Sequence, residues 1–183
     1  MDRFGNKYDL PPAIGQVVTM AFQENRTAVQ SINGLDTVLI IKPNAKFPVS
    51  YYKFPGGMLR KGETLAQAAL RELTEETGVI PSQNPDNLVE LCRVKKPRHA
   101  PHTGEFDIAF FAAYGCDFST MNDPKFGDVG DEAEESMVAN FSEIGRPNHL
   151  WPIETLPGRA AAMFPFHIEL LKKAAMQRLS ATA

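Results

Sequence analysis

The spacing of apolar residues along the chain predicts a protein built mostly from strands. Short runs rich in β-branched and aromatic residues, bounded by turn-forming residues, are typical of strands. Asn33-Gly34 lies between the first two runs, and both residues tolerate positive φ, which predicts a hairpin there. Pro55-Gly56-Gly57 is expected to break the third strand, and the acidic residues 122–135 are expected to form a long loop. The predicted strands are 16–23, 37–42, 50–54, 88–94, 106–114 and 137–144.

Two segments have the composition and spacing of helices instead. In residues 64–77, which are rich in helix-forming residues, Thr64 and Gln67 make a capping box at the start. Gly78 is placed to end this helix in a left-handed conformation. The spacing of apolar residues in 160–179 predicts an amphipathic C-terminal helix. On a helical wheel the apolar sector of the first helix is formed by Ala66, Leu70, Leu73 and Thr77.

The order of these elements indicates the fold class and the domain organisation. Many strands with one mid-chain helix and one terminal helix predict a mixed α/β or α+β sandwich rather than a regular βαβ fold. Residues 1–15 are rich in turn formers and predict an N-terminal arm. Residues 16–183 are expected to form a single domain that includes the C-terminal helix, since 183 residues fit one domain with a sizeable core.

Composition and charge exclude several classes of protein. With 43% hydrophobic and 22% charged residues the chain has ordinary globular values, so global disorder is not expected. A net charge of −3 argues against a protein that coats nucleic acid. No stretch approaches the ~20 apolar residues that span a bilayer, and no signal peptide is visible. Cys92 and Cys116 are isolated, which favours two reduced thiols in a cytoplasmic protein without a membrane partner.

One side of the predicted mid-chain helix carries the candidate chemistry. Glu72, Glu75 and Glu76 fall within a sector of roughly 100° at the edge of the apolar face. Like charges at these spacings destabilise a helix, and Arg71 offsets only part of that repulsion through an i,i+4 contact with Glu75. Three carboxylates without nearby His or Cys suit Mg²⁺ or Mn²⁺ better than Zn²⁺. A Glu-rich helix face that is only solvated remains the alternative at this point.

The spacing around these acids is more specific than the helical wheel. Gly57 is followed after five residues by Glu63, and after seven more by Arg71. The run then continues Arg71-Glu72-Leu73-Thr74-Glu75-Glu76-Thr77-Gly78-Val79. Over 23 residues, from Gly57 to Val79, this run resembles the Nudix box, G-x5-E-x7-R-E-U-x-E-E-x-G-U with U aliphatic, without a departure. The chain therefore resembles the Nudix hydrolase family.

The resemblance implies a fold, an activity and a set of site residues. It implies an α/β/α sandwich with a mixed sheet, and an enzyme that cleaves the diphosphate bond of a nucleoside diphosphate linked to another moiety. The cofactor it implies is Mg²⁺ or Mn²⁺, with one of the acids helping to activate water. Arg71 and Glu63 match the positions that support the acidic network and complete the catalytic set. The matching metal-binding positions are Glu72, Glu75, Glu76 and the backbone carbonyl of Gly56.

Candidates for substrate binding lie near the box and beyond it. Gly56 and Gly57 allow close backbone approach to a ligand. Tyr52 is a candidate for stacking on a base, with core packing as the alternative. Arg93 begins the most basic stretch, 93–99, which either holds phosphates or forms a solvated turn. By resemblance, an acid of the late loop is a further candidate for a base or a metal ligand, namely Glu132, Glu134 or Glu135.

The substrate and the assembly are less specified by the sequence. An ADP-ribose-like molecule or a nucleotide sugar is the expected substrate, because Pro97 lies near the position where ADP-ribose-cleaving subfamilies carry a proline. Two alternatives stay open: a nucleotide-sensing regulatory Nudix module without turnover, and an RNA-end pyrophosphohydrolase. The overall acidity of the chain counts against RNA. A homodimer is one alternative for the assembly, since many ADP-ribose-cleaving members of the family are dimers.

Overall fold

A computed structural model of the protein describes residues 15–23, 37–43, 53–97, 104–127 and 133–140. These segments contain one α-helix, six strands and a short 3₁₀ turn at Pro85–Asn87. The helix is α1 (Leu65–Thr77), and the strands are β1 (Gln16–Ala21), β2 (Thr37–Pro43), β3 (Gly56–Met58), β4 (Leu88–Pro97), β5 (Glu105–Ala113) and β6 (Ala133–Asn140).

The described strands form two sheets. The larger is mixed and has the order β3-β1-β5-β4, with β1 parallel to β5 and the other neighbours antiparallel. Strands β2 and β6 form a separate antiparallel pair. All residues of β1 after Gln16 are buried, as expected for a strand with neighbours on both edges and cover on its faces. The predicted α+β class with a mixed sheet is confirmed.

The helix begins and ends where the sequence predicted. Thr64 accepts a hydrogen bond from the Gln67 amide at 3.1 Å, and the Gln67 side chain accepts one from the Thr64 amide at 2.9 Å. This reciprocal pair satisfies two amides that the first turn would otherwise leave without partners. Gly78 ends the helix at φ +75°, and its amide donates to the carbonyl of Thr74. A Cβ at Gly78 would lie 2.5 Å from the carbonyl oxygen of Thr120, so close packing also requires glycine.

The buried face of α1 differs from the wheel prediction. Ala66 is exposed and Leu70 only partly buried. The small side chains of the buried alanines let the helix approach β1 closely, where the Thr19 hydroxyl donates to the carbonyl of Ala69 at 3.3 Å. Tertiary packing therefore rotates the buried sector toward the alanines and toward one glutamate. The buried residues are Ala68, Ala69, Leu73, Glu76 and Thr77.

The predicted pairing of the first two strands is wrong. One edge of β1 is taken by β3 and the other by β5, while β2 pairs with β6. A hairpin signal reports only the geometry of a local turn, and distant strands occupy the edges that such a hairpin would need. The turn signal itself, Asn33-Gly34, lies outside the described residues.

Two other boundaries also differ from the prediction. Gly56 and Gly57 belong to a strand, β3, although the sequence predicted a break there; at Gly56 a Cβ would lie 2.2 Å from the carbonyl oxygen of Val17. The absence of a side chain therefore allows this strand to pair with β1. Strand β6 begins at Ala133, inside the predicted acidic loop, because pairing with β2 overrides the poor strand propensity of its charged residues. Of the predicted strand 50–54, Lys53 forms an isolated bridge with Ile41.

Some predictions concern parts of the chain that the structure does not describe. The C-terminal helix 160–179 and, apart from Gly15, the N-terminal arm 1–15 lie outside the described residues, so the single-domain organisation stays a prediction. Among the described segments, no helix has both the length and the apolar character needed to cross a bilayer. Neither Cys92 nor Cys116 forms a disulfide, and burial raises the pKa of Cys116 to about 12.

Leu73→Ala tests the packing of α1. Leu73 is fully buried in a cluster with Ala21, Leu39 and Val79. We expect this substitution to lower the free energy of unfolding by about 2–4 kcal/mol, because it leaves a cavity in a closely packed core. The measurement is urea-induced unfolding. Leu70→Ala, the same change at a partly buried position of the same helix, is the control, and an equal loss in both variants would contradict the packing described here.

Candidate active site

The acidic side of α1 packs directly on the two glycines of β3. The amide of Gly56 donates to Oε2 of Glu76 at 2.7 Å. A Cβ placed on Gly57 would lie 2.4 Å from both Cδ and Oε1 of Glu72, so the carboxylate of Glu72 rests on the Gly57 backbone. The two glycines thus allow two carboxylates of the helix to contact the backbone of the strand. A side chain at Gly57 would displace the Glu72 carboxylate from the strand.

Glu76 is a buried carboxylate that contacts one ammonium group and one backbone amide. Its side chain is only 6% exposed, and burying a charge is costly unless it is paired. The Gly56 amide satisfies one oxygen, and the ammonium of Lys53 lies 3.2 Å from the other. Lys53 was not among the residues predicted from the sequence. The only available signal was its position two residues before Pro55, in the segment that leads into the glycine pair.

Arg71 joins the other carboxylates of the site. Its guanidinium donates to both oxygens of Glu63, from Nε at 2.7 Å and from Nη2 at 3.0 Å. Nη1 donates to Glu72 at 2.6 Å and to Glu75 at 3.0 Å, and Nη2 also donates to the carbonyl of Met58 at 2.9 Å. The planar fork of arginine makes this possible, because its donors point in fixed directions that suit several oxygen acceptors.

These contacts fix the charges of the network. The pKa of Glu63 lies below its ordinary value, chiefly because the Arg71 side chain hydrogen-bonds to it. The pKa of Arg71 is raised, first by that bond to Glu63 and then by its bonds to Glu72 and Glu75. Arg60 adds a second cation, with its amide on Glu63 at 3.0 Å and Nη2 on Glu75 at 3.1 Å. Arg60 was not among the residues predicted from the sequence.

A cleft of about 460 Å³ opens beside this network. Three cationic side chains, one carboxylate and the backbone of two glycines line its wall. The excess of positive charge suits a small anionic ligand, which would bind close to one carboxylate. The residues that contribute these groups are Lys53, Gly56, Gly57, Arg60, Arg71 and Glu72.

The carboxylates fit a hard cation by their chemistry, but they are engaged by basic groups here. Within the described residues, no set of three or more His, Cys, Asp or Glu side chains is arranged to hold a metal ion. Glu72 and Glu75 contact Arg71, and Glu76 contacts Lys53. All the donors are oxygens, the ligand type that Mg²⁺ and Mn²⁺ prefer. Metal binding at these residues requires them to exchange basic partners for the ion.

Other predicted site residues lie elsewhere or outside the described residues. Arg93 is on β4, which two intervening strands separate from β3, and its guanidinium pairs with Glu90, so the structure does not bring it to this cleft. Tyr52 and Glu132 lie outside the described residues. Glu134 and Glu135 belong to β6 rather than to a loop, and the Glu135 side chain is exposed.

Comparison with known proteins identifies the family. The sequence pattern of the NUDIX domain matches residues 22–158, which is more than half of the chain. The chain belongs to the Nudix family. The predicted family is therefore confirmed, and the prediction of a pyrophosphohydrolase is confirmed at the level of the family, whose members generally use divalent metal ions. No curated protein matches the chain.

Solved structures of Nudix proteins share the fold at low sequence identity. The NUDIX domain of Shewanella oneidensis NrtR, complexed with ADP ribose, is 16% identical, with a TM-score of 0.55 over 94% of this chain and 92% of its own. A NUDIX hydrolase from Nitrosomonas europaea is 15% identical, with a TM-score of 0.54 and coverages of 92% and 91%. A C. elegans Ap4A hydrolase is 14% identical, with a TM-score of 0.52 and coverages of 89% and 96%.

A MutT/nudix family protein from Enterococcus faecalis is 23% identical over 72% of this chain, at a TM-score of 0.48. The chain spans 44% of the length of that protein. The identities to the other three structures, 14–16%, are low enough that their likeness speaks for the fold and not for the substrate.

Gly56→Ala and Gly57→Ala form a matched pair that tests the packing of β3. At Gly57 the new methyl group meets the flexible end of Glu72, so we expect the fold to persist with a loss of about 1 kcal/mol or less. At Gly56 it meets the backbone of Val17, and we expect a loss of roughly 2–4 kcal/mol. Denaturant unfolding measures both. Similar losses in the two variants would show that the glycines do not differ in this way.

Glu63→Gln tests the charge of the network through pH. The folded pKa of Glu63 is lowered from its ordinary value of 4.5, so its stabilising contribution is present above that pH and is lost as the pH falls through the folded pKa. We expect the variant to be less stable than the parent at neutral pH by about 1 kcal/mol, and the difference to shrink in acid.

The measurement is the free energy of unfolding from neutral pH down to about pH 3. Glu105→Gln, at an exposed position on β5, is the control for removing one carboxylate. A constant difference between Glu63→Gln and the parent across this range would contradict the assignment.

Proposed function

We propose that this chain hydrolyses the diphosphate bond of a nucleoside diphosphate derivative, with an ADP-ribose-like molecule or a nucleotide sugar as substrate. One observation carries the proposal: Glu72 of an intact Nudix box lines a cationic cleft beside Gly57, and Glu76 lies buried behind the same wall, on the amide of Gly56. This arrangement offers oxygen ligands beside a binding site for an anion. Diphosphate hydrolysis requires both at the same place.

The side chains divide this work between two groups. Glu72, Glu75, Glu76 and the Gly56 carbonyl are the proposed ligands of Mg²⁺ or Mn²⁺, which when bound lower the pKa of a coordinated water and neutralise phosphoryl oxygens. Arg71 keeps Glu72 and Glu75 oriented through its bonds to both, and Glu63 in turn orients Arg71. The helix backbone holds the acids rigidly, as an active site needs.

The proposed substrate class rests on the cleft and on the relatives. A volume of about 460 Å³ lies within the ordinary range of roughly 300–1,000 Å³ for small-molecule sites. Arg60 and Lys53 line the cleft and supply charge complementary to a diphosphate. Among proteins of the same fold, one is complexed with ADP ribose and another is an Ap4A hydrolase, so nucleotides with internal diphosphates are the first compounds to test.

The experiment is a hydrolysis panel with product identification. ADP-ribose, nucleotide sugars, NADH, dinucleoside polyphosphates, nucleoside triphosphates and capped RNA are each incubated with Mg²⁺ and with Mn²⁺. We expect cleavage of an internal diphosphate to give two phosphomonoesters. Binding of a nucleotide without any product after long incubation would favour a sensing module instead, and cleavage of capped RNA alone, to a cap nucleotide and a 5′-phosphorylated RNA, would favour an RNA-end pyrophosphohydrolase.

Glu75→Gln tests the role of the acids with the least disturbance of the fold. Its side chain is 37% exposed and accepts bonds only from Arg71 and Arg60 among the contacts described, whereas Glu76 is buried. We expect kcat to fall by at least about a hundredfold, while the melting temperature changes little. The control is Glu90→Gln on β4, which removes a similar exposed carboxylate paired with an arginine. Parent-like kcat in Glu75→Gln would refute its proposed role.

A further inference from the structure

Lys53 is a cation of the cleft that lies outside the Nudix box. Two backbone hydrogen bonds with Ile41, at 2.8 Å and 3.0 Å, fix the position of its main chain, from which the side chain extends. The ammonium lies 3.2 Å from Oε1 of Glu76, and the side chain is 23% exposed. Lys53 therefore lies between a buried carboxylate and the open space of the cleft.

The position of Lys53 conflicts with a second cation on the same oxygen. Oε2 of Glu76 accepts from the Gly56 amide at 2.7 Å and Oε1 contacts the Lys53 ammonium at 3.2 Å, so a cation that binds Oε1 lies close to the charge of Lys53. Two positive charges on one carboxylate oxygen repel each other strongly in a partly buried site. Occupation of Oε1 by a divalent ion therefore requires Lys53 to leave it.

We propose that Lys53 is an exchangeable counter-ion: it neutralises Glu76 in the metal-free protein and moves to a phosphate oxygen of the substrate when a divalent cation takes its place. This inference rests on the proposed function, because it needs Glu76 as a metal ligand. It adds a substrate-binding residue and explains how a buried acid stays compensated before the metal arrives.

The other two cations of the cleft are less suited to such an exchange. Arg71 donates to three carboxylates and one carbonyl, so its departure would break several bonds at once. Arg60 is 62% exposed, and its carboxylate partner Glu75 is itself partly exposed and needs no buried counter-ion. Lysine has a compact charge on a flexible four-carbon chain. A change of rotamer can therefore move its ammonium from one acceptor to another at a small cost in free energy.

The test combines metal affinity without substrate and steady-state kinetics at saturating metal. Lys53→Met is compared with Lys61→Met, which makes the same charge change at an exposed residue of the adjacent turn. We expect Lys53→Met to bind Mn²⁺ roughly three- to tenfold more tightly than the parent in calorimetry, because no ammonium has to be displaced. We expect its KM for the cleaved nucleotide to rise by a similar factor, with a smaller change in kcat. Lys61→Met should show neither effect at that size.

Opposite changes in metal affinity and substrate KM separate this role from a structural one, since damage to the fold would weaken both. Thermal unfolding provides a second readout: Lys53→Met should melt below the parent without Mn²⁺ and regain most of the loss with it. Lys53→Gln keeps a hydrogen-bond donor without the charge, and it replaces Lys53→Met if that variant does not fold.

Glu76→Gln distinguishes failure of this inference from failure of the proposed function. If Glu76→Gln weakens Mn²⁺ binding but the Lys53 variants bind Mn²⁺ no more tightly than the parent, the counter-ion exchange is wrong and the metal site stands. If Glu76→Gln leaves Mn²⁺ affinity unchanged, Glu76 is not a ligand and the proposed site is wrong. Tighter Mn²⁺ binding without a rise in KM would retain the counter-ion role and refute the transfer to substrate.

Discussion

The contact between the acidic side of α1 and the glycine strand β3 is the constraint on which the rest of the site depends. Carboxylates repel one another, and burying them is costly without compensation. The fold provides that compensation from several directions: Arg71 from the helix itself, Lys53 from the segment before the strand, and the Gly56 amide from the strand. The two contacts on Glu76, from Lys53 and from the Gly56 amide, require the helix to lie close to the backbone of β3.

Close approach in turn explains why small residues occur where they do. Ala68 and Ala69 allow the helix to lie near β1, and the glycines of β3 allow the strand to pass beneath Glu72 and Glu76. At the C-terminus of the helix, Gly78 and Gly127 allow close packing of the segment that follows β5; a Cβ at Gly127 would lie 2.2 Å from the Thr74 carbonyl oxygen. The site is thus an outcome of backbone proximity as much as of charged side chains.

The network of charges also suits a catalytic site whose carboxylates exchange basic side chains for a metal ion during the reaction cycle. In the structure Glu72, Glu75 and Glu76 are bonded to basic groups. An acidic cluster prepared in this way is stable before a metal ion binds, and its bonds to arginine and lysine are the ones that a divalent ion would replace. Arg71 has a rigid planar fork that donates to several carboxylates, whereas the Lys53 ammonium is a compact charge on a flexible chain, and this difference indicates which cation stays and which moves.

The sequence by itself determined the local features of this protein. The capping box at Thr64, the end of the helix at Gly78 and the spacing of the Nudix box depend on neighbouring residues, so they could be predicted, and with them the family and the α+β class. The central acids of the site and the contact of Arg71 with Glu75 follow from helical periodicity alone.

Only the tertiary structure decided what depends on residues far apart in the chain. Strand pairing placed β3 and β5 on the edges of β1, where the turn signal at Asn33-Gly34 had suggested β2. It also made a strand of Gly56–Met58 and brought Lys53 to Glu76, 23 positions away, while leaving Arg93 two strands from the cleft. The physical reason is that register and sheet order are set by burial of whole faces, which no local pattern specifies.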